Sequence, residues 1–296
     1  MKNISIVKAC SDLGVHKNGT NLGPDIIMEN MKNIEIDSIY RLEKIDCTKE
    51  LDKNNRKKNL KYINEFNDRL YHAVSAVINS NSLPLTIGGD HSIAIATALA
   101  SINKWKNLGI IWIDAHSDFH TFETTVTGNI HGLPLATIAG QDCSDLCKFH
   151  NGPFYNPANT VIVGARSIDY PGEYKNLEKA GLTVFTTQDI KKEGIENILE
   201  KAINIAGSNT EGIHISLDVD VLDPKIAPGV SVPEIDGISE DEFYTVVDKI
   251  VYHQDLIKSI DLVEYNPIYD VDNKTLNIVT KALGKLLNEI KSLALN

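Results

Sequence analysis

Short apolar runs alternate with amphipathic segments along almost the whole chain. The apolar runs are rich in valine and isoleucine and mostly lack strict alternation with polar residues, which is typical of strands covered on both faces. They predict seven strands, at Ile4–Ala9, Leu83–Ile87, Leu108–Ile113, Thr160–Gly164, Leu182–Phe185, Gly212–Leu217 and Ile257–Val263.

The segments between these runs carry apolar residues at helical spacing. The clearest pattern is that of Leu60, Ile63, Phe66, Leu70, Ala73 and Val77, and similar patterns occur in Ile195–Ile205, Ser239–Ile250 and Leu276–Leu295. This alternation of strands and helices predicts an α/β fold in which helices cover both faces of a mostly parallel sheet.

No tandem repeat or low-complexity linker divides the sequence. The 296 residues, 42% of them hydrophobic, are enough for one large core, and we predict a single domain over residues 1–296. The polar run Lys49–Lys61 is predicted to be a solvated loop that leads into the first long helix, because acidic residues are interleaved with its basic ones.

The composition narrows the class of partner. A formal net charge of -11 argues against a surface for nucleic acid or anionic membranes, and it suits a protein that acts on small molecules, cationic ones included. No apolar run approaches the roughly 18 residues that span a membrane. The four cysteines form no CxxC pair, and the amino terminus resembles a strand and not a signal peptide. These features predict reduced thiols and a cytoplasmic location.

Polar clusters follow four of the predicted strands. The motif GGDHS follows the strand that ends at Ile87, DAHSD follows Ile113, DVDVLDP follows Leu217, and Glu264 follows the strand that ends at Val263. In an open parallel sheet, ligands bind beyond the carboxyl ends of the strands. The four clusters therefore predict a functional site at one edge of the sheet.

The residue types in these clusters are those of a metal site. Residues two apart in an extended segment point to one side, so DAHSD and DVD each bring ligand-type side chains together, and GGDHS adds one histidine. The predicted metal ligands are His91, Asp114, His116, Asp118, Asp218 and Asp220.

Four carboxylates in one crevice cannot all stay ionised without a counter-charge. Two divalent cations about 3.5–4 Å apart, with carboxylates that bridge them, would balance the charge. A ligand set rich in oxygen with some imidazole favours Mn²⁺ over Zn²⁺, and Fe²⁺, Co²⁺ and Ni²⁺ stay open.

Each motif has a structural alternative when it is taken alone. A lone DxD at a strand end is more often a turn or a helix cap, and a lone histidine is more often a hydrogen-bonded core residue. The occurrence of all three motifs in order, each at a strand end, is much more specific. By the same reasoning Asp90 and Asp223 are predicted to shape turns, and His214 is predicted to be a buried structural residue.

Together GGDHS, DAHSD and SLDVD resemble the ureohydrolase family, which includes arginases and agmatinases. The resemblance extends from GTNLGPDII (Gly19–Ile27) to VEYNPIYDVDNKT (Val263–Thr275). It implies a three-layer α/β/α domain that assembles into trimers or hexamers, and two manganese ions held by the six predicted ligands. It also implies that Asp114 and Asp218 bridge the two ions.

Three further stretches resemble arginases in particular: TGNIHGLPLA (Thr127–Ala136), DYPGE (Asp169–Glu173) and the stretch from Glu264 to Pro267. This resemblance implies hydrolysis of L-arginine to L-ornithine and urea by a metal-bridging hydroxide.

Three residues are candidates for the catalytic roles. Asp118 is expected to accept a hydrogen bond from the hydroxide and to orient it, and Glu264 is expected to bind the guanidinium fork through paired charge-assisted hydrogen bonds. His131 matches the family's proton shuttle, and an imidazole titrates in the range that this role needs.

The sequence departs from the arginase pattern at the positions expected to contact the substrate. His120 stands where arginases usually have asparagine, Thr127 replaces the serine two residues before Asn129, and VSVP at positions 230–233 replaces Thr-Gly-Thr-Pro and loses a hydroxyl. His120 can still donate to a substrate carboxylate, and Asp169 can receive an α-amino group. We therefore assign His120, Thr127, Asn129, Asp169 and Glu264 to substrate binding.

These departures leave other functions open. Within the class, the alternatives are a formimidoylglutamase, an agmatinase or another hydrolase of guanidino or formimino acids. Outside the class, the alternative is a catalytically silent relative that binds an amino acid or a metal. Retention of all six ligands together with His131 and Glu264 argues against this last interpretation.

Overall fold

The computed structural model describes residues 3–31, 36–50, 55–141, 144–168 and 170–293. Its centre is one eight-stranded sheet in which every neighbouring pair is parallel, with the order β2-β1-β3-β8-β7-β4-β5-β6. The strands are β1 (Asn3–Ala9), β2 (Ser38–Leu42), β3 (Ser82–Gly88), β4 (Gly109–Ile113), β5 (Thr160–Ala165), β6 (Thr183–Thr186), β7 (Ile213–Asp218) and β8 (Ile257–Val263).

Seven of these strands lie where the apolar runs predicted them, and β2 is the one that the sequence did not predict. It pairs only with β1 at the edge of the sheet, and its first four residues are partly or fully exposed. A strand with so little buried surface has no continuous apolar run, and the prediction depended on such runs.

The helices cover both faces of the sheet. They are α1 (Gly23–Asn30), α2 (Leu60–Asn79), α3 (Ala94–Trp105), α4 (Pro134–Ile138), α5 (Pro171–Ala180), α6 (Thr187–Glu193), α7 (Ile195–Gly207), α8 (Glu240–Tyr252) and α9 (Lys274–Leu293). Within the part of the chain described above, no helix has the length and the hydrophobicity to cross a membrane.

Two apolar cores separate the three layers. In β4, Ile111 and Ile113 belong to the core that includes α7, α8 and α9, while Ile110 and Trp112 belong to the core that includes α2 and α3. Successive residues of a strand point to opposite faces, so burial of both sets requires a helical layer on each side. This confirms the predicted three-layer α/β/α fold with a parallel sheet.

The strand order brings the polar clusters together. β3, β8, β7 and β4 are consecutive neighbours at the centre of the sheet, and they are the four strands that lead into GGDHS, Glu264, DVD and DAHSD. Because all four run in the same direction, their carboxyl ends meet at one edge, where ligands are expected in open α/β sheets.

Candidate active site

Five of the six predicted metal ligands form two overlapping groups. His91, Asp114 and Asp218 present ligand atoms within 4.8 Å of one another, and so do Asp114, His116 and Asp220. Asp114 belongs to both groups. The sixth residue, Asp118, lies beside the first group, with Oδ2 3.2 Å from His91 Nδ1. The arrangement is that of two neighbouring cation positions that share one carboxylate.

The ligands converge for a different reason than the sequence suggested. The residues after β4 leave the extended conformation, and Asp114 Oδ1 accepts the backbone N–H of His116 at 2.6 Å. Likewise Asp218 Oδ1 accepts the N–H of Asp220 at 2.7 Å and caps a 3-10 turn. Two turns stabilised by their own aspartates, and not the two-residue period of a strand, place these side chains together.

His91 is held with one ring nitrogen toward the carboxylates. Its Nε2 lies 2.9 Å from Ser216 Oγ, and its ring stacks on Trp112 at 3.9 Å between centroids. Its Nδ1 lies 3.0–3.2 Å from oxygens of Asp114, Asp118 and Asp218 without making a hydrogen bond of good geometry. A histidine that donates through Nε2 keeps a lone pair on Nδ1, which is the form that binds a metal.

The serine contact leads to a prediction about metal affinity. Ser216→Ala is expected to weaken Mn²⁺ binding by about 10- to 100-fold, because the partner that fixes the tautomer and orientation of His91 is lost. Titration of Mn²⁺ against a competing chelator measures the change. The matched control is Ser101→Ala, which removes a buried hydroxyl that bonds Ser259 and not a predicted ligand. Equal Mn²⁺ affinities for Ser216→Ala and wild type would refute the role of Ser216 in orienting His91 for metal binding.

The electrostatics of the cluster fit cations. Burial, and then the charges of Asp220 and Asp114, raise the pKa of Asp218 well above its usual value. Burial and the charge of Asp114 likewise raise the pKa of Asp118 to about 6. Burial opposes protonation of His91, but its carboxylate neighbours outweigh that effect and raise its pKa well above the ordinary value. Without cations these groups must share protons, and two divalent ions remove that need. The residues present therefore fit a pair of dications.

Glu264 and His131 lie beside the predicted metal ligands and contact each other. Glu264 Oε1 accepts the backbone N–H of His91 at 2.8 Å and lies 3.1 Å from His131 Nδ1. Burial is the largest influence and opposes protonation of His131, but the hydrogen bond that His131 makes to the Glu264 carboxylate, together with the charges of Glu264, Asp118 and Asp90, outweighs it and raises the pKa of His131. The Glu264 carboxylate is thus directed toward His131 and is absent from the wall of the neighbouring cavity.

Two residues of the site have left-handed backbone conformations that are uncommon for residues other than glycine. φ is 49° at Asp118 and 67° at Glu264. Such conformations cost about 1–3 kcal/mol each and persist only where the surrounding structure holds them. Here the Glu264 N–H donates to the Gly89 carbonyl at 2.8 Å, and the Asp118 carbonyl accepts from Leu135 at 3.1 Å.

A cavity of about 240 Å³ opens onto the cluster. Its lining includes four of the predicted ligands and three of the other predicted site residues and contains no lysine or arginine within the described chain. The lining residues are His116, Asp118, His120, Thr127, His131, Gly132, Ser167, Tyr170, Glu173, Asp218, Asp220, Val232 and Glu234. Two dications would balance the charge of the aspartates in this lining, and the two remaining carboxyl groups, those of Glu173 and Glu234, suit a substrate whose reacting end is positively charged.

The residues predicted to bind substrate lie in three different situations. His120 lines the cavity, with Nε2 3.4 Å from Glu173 Oε2, and burial lowers its pKa to about 4. Thr127 also lines the cavity, but Asn129 does not, and its Nδ2 is 3.1 Å from His16 Nδ1. Asp169 lies outside the described residues.

Glu173 was missed by the sequence analysis. Its carboxyl group is buried, accepts a hydrogen bond from Ser117, and has its pKa raised to about 7, mainly by burial. The only signal in the sequence was its place in DYPGE, where it follows the predicted Asp169 by four residues. Glu234 was missed as well, and its Oε1 lies 3.7 Å from His116 Nε2.

Three residues that were predicted to be structural do have structural contacts. Asp90 accepts from Ser11, from the N–H of Gly14 and from the N–H of Ser92. Asp223 accepts the N–H of Lys225 in a turn. His214 is fully buried, 2.6 Å from Ser259 Oγ. These predictions are confirmed.

Known proteins resemble the chain over nearly its full length. A sequence model of the arginase family matches residues 2–288. The arginase of Bacillus subtilis is 38% identical over 297 residues, covering 97% of this chain and 99% of the relative. The arginase of Bacillus caldovelox is 36% identical, covering 98% and 99% of the two chains.

Solved structures of arginases have the same fold as this chain. The crystal structure of the Bacillus caldovelox arginase superposes with a TM-score of 0.88 at 35% identity and covers 97% of this chain and 98% of its own. An Entamoeba histolytica arginase solved in complex with L-ornithine has a TM-score of 0.88 at 28% identity and covers 97% and 99%.

Proposed function

The chain belongs to the arginase family, and from that premise we propose that it hydrolyses L-arginine to L-ornithine and urea with two bound Mn²⁺ ions. The observation that carries the proposal is the pair of ligand groups that share Asp114 at the base of an acidic cavity. An acidic cavity with no lysine or arginine among the described residues of its lining suits the guanidinium group.

We assign the metal ligands as His91, Asp114, His116, Asp118, Asp218 and Asp220. Their mostly oxygen donors favour Mn²⁺ among the divalent first-row metals. The chemistry that such a pair supplies when bound is activation of water as a nucleophile near neutral pH.

The protein's own groups perform the remaining tasks. Asp118, beside both Asp114 and His91, is placed to orient the attacking nucleophile through a hydrogen bond. Expulsion of the ornithine amine requires a proton, and His131 lines the cavity with a pKa raised by Glu264. We assign Glu264 mainly to holding His131, because its carboxylate contacts His131 and the backbone of His91.

The substrate's remote end is assigned to His120, Thr127 and Asn129, with Asp169 as the partner of the α-amino group. We further propose one domain over residues 1–296, a homo-oligomer that is a trimer or hexamer, and a cytoplasmic location. The continuous sheet supports the first of these proposals, and the resemblance to ureohydrolases supports the second. The cysteine pattern, which has no CxxC pair, supports the third.

The alternative function is hydrolysis of formiminoglutamate. It is favoured by Val232, which lines the cavity where a guanidinium would gain from a hydroxyl. A site that leaves a substrate polar group unpaired loses discrimination steeply, so this one side chain bears on the choice of substrate.

A single experiment separates these functions. The Mn²⁺-loaded protein is incubated separately with L-arginine, agmatine, guanidinobutyrate and formiminoglutamate, and every product is identified by mass spectrometry. We expect urea and L-ornithine from L-arginine at the highest kcat/KM. Faster release of formamide from formiminoglutamate would support the alternative, and no product from any compound would indicate a binding protein.

A further inference from the structure

The segment that precedes α2 packs closely on the loop that carries Thr127 and Asn129. A Cβ atom at Gly128, where φ is +70°, would lie 2.0 Å from the Asn55 carbonyl oxygen, so only glycine fits there. Arg56 donates to the carbonyls of Phe122 and Glu123 in the same loop. The prediction of a solvated loop over Lys49–Lys61 that leads into a helix is confirmed for the exposed Arg56 and Lys57, but it is wrong for Lys58 and Asn59, which are buried. Residues 51–54 of that run lie outside the described residues.

Lys58 is the buried charge of this segment. Only 8% of the residue is exposed, and its Nζ donates to the backbone carbonyl of Thr127. No carboxylate of the described chain lies within ion-pair distance of it, whereas its neighbour Lys57 is paired with Asp145 at 2.8 Å. A buried ammonium without an opposite charge is uncommon, because burial of an unpaired charge is costly.

The ammonium group of Lys58 lies close to the active-site cavity. Thr127 lines the active-site cavity, so one residue separates the ammonium from the cavity. Within the described chain the lining itself contains no lysine or arginine. Lys58, together with Lys17 and Lys49, also contributes to the lowered pKa of His16, although burial is the largest cause and the charge of His131 the next. His16 contacts Asn129, so the charge of Lys58 adds to the positive electrostatic potential near Asn129.

We propose that Lys58 is a specificity-determining residue that favours substrates with a carboxylate at the end remote from the guanidinium. This inference rests on the proposed function. The guanidinium carbon must lie at the metal centre to react, and the opposite end of an extended guanidino acid then lies toward Thr127, which lines the same cavity. A carboxylate there is attracted by the Lys58 ammonium, while a decarboxylated amine brings a second positive charge toward it.

The test removes the charge while keeping the shape. Lys58→Met keeps an apolar stem, Lys58→Gln keeps a donor for the Thr127 carbonyl without the charge, and Lys58→Arg keeps the charge. The matched control is Lys61→Met, an exposed lysine on the first turn of α2. Circular dichroism and metal content verify that each Mn²⁺-loaded variant is folded.

Two pairs of compounds that differ in the carboxylate report the effect. We expect Lys58→Met and Lys58→Gln to lower kcat/KM for L-arginine about tenfold relative to L-argininamide, mainly through KM. A tenfold change corresponds to about 1.4 kcal/mol. The Kd of L-ornithine should rise by a similar factor relative to that of putrescine. Lys58→Arg and Lys61→Met should keep the wild-type ratios.

Equal losses for both members of a pair leave their ratio unchanged. That result in both uncharged variants would overturn the proposal, because Lys58 would then only support the loop. The binding pair keeps the result independent of turnover. If the wild type releases no urea from L-arginine, the proposed function fails, but the ratio of the two Kd values still decides the role of Lys58.

Discussion

Asp118→Asn is expected to lower kcat by roughly a thousandfold or more and to reduce the metal retained by the purified protein. The carboxylate lies 3.2 Å from His91 Nδ1, beside Asp114, so under the proposed function the variant removes both a negative charge for the cations and an acceptor for the nucleophile. Loss of one preorganised polar group of this kind already costs about 10²–10³ in kcat. Steady-state kinetics and elemental analysis of the metal content measure the two effects.

The same substitution should stabilise the protein when metal is removed. The pKa of Asp118 is raised to about 6 by burial and by Asp114, so its ionised form is less favourable in the folded protein than in the unfolded chain. The destabilisation it causes is absent below the unfolded pKa, grows as pH rises, and is complete above about pH 6. Asparagine carries no charge and tolerates the left-handed backbone at φ 49°, so the metal-free variant should melt at a higher temperature than the metal-free wild type at pH 8.

Asp68→Asn on the exposed side of α2 is the control for both measurements, because its carboxylate is half exposed and, among the described residues, its ion-pair partner is His72 on the same helix. Near-normal turnover with full metal content in Asp118→Asn would remove this residue from the metal site. A lower melting temperature without metal would contradict the electrostatic explanation even if turnover were lost.

The location of the site could be predicted from the sequence because strand ends and ligand-type residues coincide. GGDHS, DAHSD and DVD each follow a buried strand, and parallel strands place their carboxyl ends together. The order of the strands could not be predicted in the same way. β8, the last strand in the chain, lies between β3 and β7, and this insertion brings Glu264 against His91 and His131. Such a neighbourhood depends on how distant segments pack, which local patterns do not encode.

Other features were missed because their signals are weak or misleading locally. A helix was expected after GGDHS, but the bounds of α3 (Ala94–Trp105) were not predicted, because the helix is buried through Ile102 and half of its 12 residues are alanine, serine or threonine, so it has no polar face to create a helical period. Lys58 lies in a strongly polar run, yet tertiary contacts bury it against Thr127. The turns at Asp114 and Asp218 were interpreted as extended strand because side-chain-to-backbone hydrogen bonds leave little trace in the pattern of apolar residues.

His131→Asn should slow turnover by about 10²–10⁴-fold while leaving the metal content unchanged, because positioned proton transfer contributes a factor of that size. His131 lines the cavity, and its Nδ1 is 3.1 Å from Glu264 Oε1, so its other ring nitrogen remains available for proton exchange. It belongs to neither group of candidate metal ligands. Asparagine keeps a polar side chain of similar reach but cannot titrate, and kcat with elemental analysis separates loss of the proton carrier from loss of metal. His72→Asn, on an exposed histidine of α2, is the control.

Glu264→Gln distinguishes a proton carrier from a residue that only fills space. Because the Glu264 carboxylate raises the pKa of His131 against the effect of burial, its neutral replacement should lower that pKa. The imidazolium is present below the pKa, so the pH at which it disappears should fall, and the alkaline limb of the kcat profile should move to lower pH with it. The profile of His131→Asn should lack this limb altogether. An unchanged kcat in His131→Asn, or a limb that stays in place in Glu264→Gln while NMR shows the His131 pKa falling, would mean that the proton reaches the leaving amine by another route.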